Sequence, residues 1–147
     1  MRFIWRKWST LTTEELYAIL RLRSEVFVVE QDCPYQDLDG LDQGSWHCLQ
    51  YVEGDLAGYL RLLPAGLHHE HVAIGRVVTS PAHRRKGLGR PLMEEGWRHA
   101  QDILGPAPVY LWAQSYLRGF YESLGYAVCG AEGEEDGIPH FPMLRNP

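Results

Sequence analysis

The chain has 147 residues, 45% hydrophobic and 12% aromatic, which suits one packed domain spanning 1–147 rather than a disordered chain. Its net charge of −5 argues against a general nucleic-acid partner, and no apolar run reaches the roughly 18 residues that a membrane span needs. The opening Met1-Arg2-Phe3-Ile4-Trp5-Arg6-Lys7 lacks the apolar stretch of a secretory signal, and the three cysteines include no CxxC pair; the expectation is a cytoplasmic protein with reduced thiols.

Phe3 to Trp8 alternates apolar and basic residues and predicts a first strand. Thr12-Thr13-Glu14-Glu15 matches a capping box, and Leu16, Ile19, Leu20, Val26 and Phe27 then share one helical face, so a long helix is predicted towards Glu30. Cys33-Pro34 ends it. Between Glu30 and Asp42 the chain carries Glu30, Asp32, Asp37, Asp39 and Asp42, a stretch that can attract a cationic co-substrate or stand as a solvated polar loop.

Trp46 to Val52 and Leu56 to Leu63 predict a hairpin turned at Glu53-Gly54-Asp55, and Val72 to Thr79 predicts a central strand covered on both faces. Gly87 to about Leu104 reads as a helix with Leu88, Leu92, Met93, Trp97 and Ala100 inward, and Pro91 in its first turn costs little. Val109 to Ala113 is a short strand, and Leu117 to Leu124 a short helix closed by Gly125. Tyr126 to Cys129 and Phe141 to Arg145 are the last strands, around an acidic loop through Glu134, Glu135 and Asp136. The order β-α-β-β-β-α-β-α-β-β is that of an α/β fold with a central mixed β-sheet flanked by helices.

The run from Val77 to Gly89 carries the chemistry. A buried strand leads through a turn into Arg84-Arg85-Lys86-Gly87-Leu88-Gly89, and a helix opens directly behind. The first amides of a helix lack partners within it, its dipole places positive charge there, and glycines let a ligand approach the backbone. Phosphate is the natural guest. A charge-assisted hydrogen bond contributes roughly 1.5–3 kcal/mol, so several amides and cations on one pyrophosphate reach the ~8 kcal/mol of micromolar binding. A Walker loop does not fit, since Arg90-Pro91 follows Gly89, and neither does a Rossmann fingerprint, since no glycine stands at position 92.

Arg84-x-x-Gly87-x-Gly89 after an apolar strand resembles the acetyl-CoA motif of the GNAT N-acetyltransferases. Downstream, Val109 to Ala113 followed by Phe120-Tyr121-Glu122-Ser123-Leu124-Gly125-Tyr126 is similar to that family's second cofactor segment. Val26 to Tyr35 and Glu135-Asp136-Gly137-Ile138-Pro139-His140 resemble its ElaA-type branch, so the likeness spans nearly the whole chain. It implies a GNAT fold and acetyl-CoA as co-substrate, with a primary amine of a small molecule or peptide as acceptor. In that family the amine attacks the thioester directly, and the resemblance implies the same here. A non-catalytic acyl-CoA-binding regulatory module is the alternative, and a homodimer stays open because nothing marks a pairing surface.

The resemblance also assigns residues. The backbones of Val77, Val78 and Thr79 would line the cofactor's arm, with an oxyanion donor near Val77 or Val78. Arg84, Arg85, Lys86, Gly87, Leu88, Gly89 and Arg90 would hold the pyrophosphate, while Gln114 stands where relatives often carry a cofactor-contacting asparagine. An alkylammonium near pKa 10.4 needs about 4–5 kcal/mol to lose its proton at neutral pH, which motivates a base; Glu30 and His140 are the candidates. Tyr121 falls where the family often places a hydroxyl beside the CoA sulfur, to hydrogen-bond the leaving thiolate.

Other signals carry less. His68-His69-Glu70-His71 is packed into one turn with no distant ligand of suitable spacing, so no metal is expected. Cys33, Cys48 and Cys129 fall in no Cys–His arrangement.

Overall fold

The computed structural model describes all 147 residues. Strand β1 (Arg2–Lys7) leads through a 3₁₀ turn into helix α1 (Thr13–Arg23). The capping box forms: the Glu15 amide donates to Thr12 Oγ1 at 3.0 Å and the Thr12 amide to Glu15 Oε1 at 2.9 Å. The helix does not continue to Glu30 at α pitch. From Ser24 to Glu30 it widens into a π-helix, with the Gln31 amide on the Val26 carbonyl and the Cys33 amide on that of Val28, each five residues back. Val26, Val28 and Val29 are β-branched and crowd the preceding turn of an α-helix, which weakens it here. The altered pitch keeps Val26 buried while Val29 and Glu30 face outward.

β2 (Trp46–Val52) and β3 (Asp55–Leu63) make the predicted hairpin, with Glu53 and Gly54 at φ of 51° and 84°, as a type I′ turn requires. β4 (Val72–Thr79) is joined to the parallel strand β5 (Val109–Gln114) by helix α2 (Gly89–Leu104), which starts at Gly89 rather than Gly87. Helix α3 (Arg118–Glu122) follows, then β6 (Ala127–Val128), β7 (Gly133–Glu135) and β8 (Ile138–Arg145). The sheet runs β1-β2-β3-β4-β5-β8-β6, with β7 also on β8. The predicted acidic loop is therefore partly strand: Asp136 and Gly137, at φ of 53° and 79°, turn β7 into β8, which begins at Ile138 rather than Phe141.

α2 covers one face of the sheet over Leu60, Leu62, Ile74, Val109 and Leu111, and α1 covers the other over Leu49, Tyr59 and Val78. Gly96 sets the closeness of α2, since a Cβ there would stand 2.9 Å from Leu60 Cδ2 and 3.1 Å from Ile74 Cδ1. Cys48 is a fully buried thiol of this core.

Asp37, Asp39 and Asp42 of the acidic stretch are taken up by arginines, while Asp32 stays exposed. Asp42 Oδ1 accepts from Arg23 at 2.8 Å and Arg61 at 2.9 Å; Arg23 also meets Asp37, and Arg61 forks onto Asp39. Arg76 closes the set on Asp37 at 2.7 Å. Arg23 and Arg61 are almost fully buried, so this network pins the loop after the π-helix onto the sheet. His47 joins it. A carbonyl only accepts, so His47 Nε2–H donates to the Asp42 carbonyl at 2.9 Å and Nδ1 accepts a hydrogen bond from the Tyr59 hydroxyl at 2.7 Å.

A pH dependence follows. Burial holds His47 and His99 below the ordinary value of 6.5, so the unfolded chain binds protons that the folded one does not. Stability that is present above pH ~6.5 is lost as pH falls below it. Burial works to raise the Asp39 and Asp42 carboxyls, but their arginines outweigh it and hold both below 3.8, which adds a second loss at lower pH. The melting temperature should be highest at or above neutral pH and decline between about pH 7 and 5.5, before carboxylates titrate. A calorimetric profile flat across that window would mean that these imidazoles are not held neutral.

Candidate active site

β4 and β5 pair only at Val72–Val109 and Ala73–Tyr110, and beyond that the strands part. A parallel pair that opens towards its carboxyl ends leaves a crevice where ligands of open α/β sheets bind. On the β4 wall the register with β3 slips: Arg61 faces Gly75 but Tyr59 faces Val78, so Arg76 and Val77 together oppose Leu60. This is a β-bulge, with Arg76 at φ 51°, and a bulge leaves one residue unpaired in the ladder. Val77 packs on the α2 side and Val78 is buried on the α1 side, while Thr79 ends the strand opposite Gly58.

β4 then runs into the basic loop. Arg85 and Gly87 have φ of 65° and 69°, Leu88 is back in the right-handed region, and no side chain caps the helix that begins at Gly89. Alternation of left- and right-handed residues turns successive amides inward as an anion nest, and the helix start adds further unpartnered amides. A Cβ at Gly87 would meet nothing within 4 Å, and one at Gly89 only Phe120 Cζ at 3.5 Å, so the loop is open above both glycines. Arg85 and Lys86 are exposed. Leu88 is buried, and its carbonyl accepts from the buried Gln50 at 3.2 Å, which anchors the start of α2. These features fit a diphosphate.

Not every cation of the run faces that opening. Arg90 donates to Ser123 Oγ at 2.8 Å and lies over the Phe120 ring. It ties α2 to α3, so the basic loop and the segment carrying Tyr121 are in contact. Arg84 forks onto Glu30 at 2.8 and 2.6 Å, and this hydrogen-bonded pairing lowers the Glu30 pKa.

On the β5 wall, Gln114 pairs in register with His140 of β8. His140 stacks on Trp112, centroids 5.3 Å apart, and its Nδ1–H donates to the Ile138 carbonyl at 2.7 Å, which leaves Nε2 as the nitrogen with a lone pair. Tyr121 is 6% exposed, edge-on to Phe120 and Tyr126. Burial, with the nearby Tyr116 adding to it, pushes its phenol up to about 12. Its hydroxyl makes no hydrogen bond within the chain and, unlike that of Tyr126, is not sealed from solvent.

The two candidate bases thus have different partners: Glu30 is bound to the basic loop through Arg84 and His140 rests against Trp112. Sequence reasoning missed the bulge and Arg76, although a lone Gly75 inside an apolar strand is a bulge signal. It also missed Trp112 as the platform beneath His140. No three His, Cys, Asp or Glu side chains gather closely enough to hold a metal, and His69 instead stacks on Tyr110. No helix is long and apolar enough to cross a membrane.

A mixed sheet splayed beside a bulge, with a glycine-rich anion loop at its mouth, is the architecture of acyl-CoA N-acyltransferases. The profile of the acetyltransferase (GNAT) domain matches residues 9–146, and the chain belongs to that family. Protein ElaA of Escherichia coli (strain K12) is 43% identical over 139 residues, covering 93% of this chain and 91% of that protein. The crystal structure of Escherichia coli ElaA matches with a TM-score of 0.92 over 99% of both chains, at 40% identity. An acyl-CoA N-acyltransferase from Pseudomonas aeruginosa matches at 0.93 over 98% of both, at 44% identity.

Proposed function

We propose that this chain is an acetyl-CoA-dependent N-acetyltransferase that passes the acetyl group directly to a primary amine of a small molecule or peptide. The observation that carries this reading is the crevice between β4 and β5. One wall holds the Arg76–Val77 bulge, and the anion loop and the Tyr121 helix meet at its mouth. Acetyl-CoA, as co-substrate, supplies an activated thioester.

The remaining chemistry falls to the chain's own groups. His140 Nε2 takes the proton of the incoming ammonium, its tautomer set by the bond from Nδ1 to Ile138. Glu30 suits this role less well, because Arg84 favours its ionised form and makes it a weaker base. The bulge amide at Val77 donates to the acyl oxygen as the new carbon–nitrogen bond forms. The nitrogen then gives its second proton to solvent and the carbon–sulfur bond breaks, with the Tyr121 hydroxyl donating to the sulfur and solvent delivering the proton that makes the thiol. With Asp37, Asp39 and Asp42 neutralised by arginines, those three carboxylates give a cationic acceptor no preference.

Calorimetric titration with acetyl-CoA and with CoA tests the reading. Micromolar binding of both is expected, followed by CoA release in a screen of amines. A folded protein that binds neither at millimolar concentration would sink it. With an amine in hand, His140→Gln should lower kcat by about 10²-fold or more with CoA affinity unchanged; parent-rate turnover would assign the base elsewhere.

A further inference from the structure

Arg84 opens the basic run assigned above to the diphosphate, yet its guanidinium is already engaged. Nη1 and Nη2 lie 2.8 and 2.6 Å from the two carboxylate oxygens of Glu30, a fork-on-fork pair. It joins the last residue of the π-helix to the phosphate loop, 54 positions further along the chain. The other two exposed cations of the loop, Arg85 and Lys86, have no carboxylate partner, so Arg84 alone is committed in this way.

Both side chains of the pair are about two-fifths exposed, at 40% and 41%. An exposed ion pair shifts an equilibrium by about five-fold at most, so this one sets a geometry without locking it. A diphosphate carries more charge than one carboxylate and meets the same planar fork. The hydrogen bonds with Glu30 raise the arginine's pKa, with the Glu30, Tyr116 and Glu25 charges also reaching it, so the guanidinium stays charged throughout.

We infer that Arg84 and Glu30 form a latch that the cofactor's diphosphate opens, the guanidinium exchanging the carboxylate for phosphate oxygens. Glu30 is then a competitor of the cofactor, which sets its affinity from outside the phosphate loop, and the end of the π-helix is tied to that loop only until the cofactor arrives. This rests on the N-acetyltransferase reading and gives Glu30 a part in cofactor capture rather than in proton transfer.

The test is a double-mutant cycle read by calorimetry, with CoA and, as a probe of the diphosphate alone, inorganic pyrophosphate. Glu30→Gln should tighten both by about 3- to 5-fold. Arg84→Gln should weaken both by about 10-fold or more. In the double variant the gain from Glu30→Gln should vanish, because its rival is gone. Glu30→Ala should repeat the Glu30→Gln result, and the exposure of the side chain makes both safe for the fold. Carbon-13 NMR supplies a second readout: the Glu30 carboxyl should titrate higher once CoA is bound. If the parent binds CoA while Glu30→Gln and Glu30→Ala leave both affinities unchanged or weaker, the latch is wrong and the acetyltransferase reading stands. If the parent binds no CoA, the reading fails and the latch with it.

Discussion

Gly89→Glu should leave the fold standing and abolish cofactor binding. Gly89 is the first residue of α2, and an added Cβ meets only Phe120 Cζ, at an ordinary 3.5 Å. A carboxylate in the first turn suits the helix dipole by roughly 0.3–1 kcal/mol, and replacing glycine favours the helix further. The melting temperature should therefore hold or rise. The same carboxylate would stand among the amides and cations assigned to the diphosphate, adding like charge and bulk where the ligand must sit. A shift of CoA affinity from micromolar to millimolar or weaker is expected, about 10³-fold or ~4 kcal/mol. Gly89→Ala adds only a methyl and should weaken binding much less. Parent-like CoA binding by folded Gly89→Glu would remove this loop from the cofactor site altogether.

The strand-loop-helix conformation of that run was legible because its signals are local. A strand, two glycines, three consecutive cations and a helix start within one short run, and each rule that reads them acts over a few residues. The Glu53-Gly54 hairpin and the Thr12–Glu15 capping box are equally local, and both formed. What escaped depends on partners distant in sequence. Arg23, Arg61 and Arg76 neutralise Asp37, Asp39 and Asp42 across gaps that no periodicity reports, so three acids that read as free charge are in fact tied to the sheet.

Two other misses were local but masked. The Asp136-Gly137 turn is a hairpin signal, hidden by the acidic residues before it and by Pro139 and Pro142 in the strand after it. The π-helix keeps its apolar residues close to α spacing, so the pattern continues to read as helix while the pitch changes underneath. That change leaves Glu30 facing outward, where Arg84 meets it. The Arg84–Glu30 contact therefore lay beyond periodicity alone.

Tyr121→Phe should separate catalysis from binding. The hydroxyl makes no hydrogen bond within the chain and the ring keeps its packing against Phe120 and Tyr126, so the change should cost little stability. The phenol, pushed up to about 12 by burial, stands well above a thiol near 8.5. Full proton transfer to a thiolate would be uphill by roughly 5 kcal/mol. In the proposed mechanism the hydroxyl would therefore act by donating a hydrogen bond to sulfur as negative charge builds there, a contribution made in the transition state and absent from the ground state. Removing it should lower kcat by about 10²- to 10³-fold and leave CoA affinity within about two-fold. An amine assay that follows CoA release, set beside a CoA titration of the same variant, reads both quantities. Parent-rate turnover would move the leaving-group role to another residue. A collapse of CoA affinity together with kcat would instead make Tyr121 a wall of the cofactor crevice, its hydroxyl serving binding rather than the departure of the sulfur.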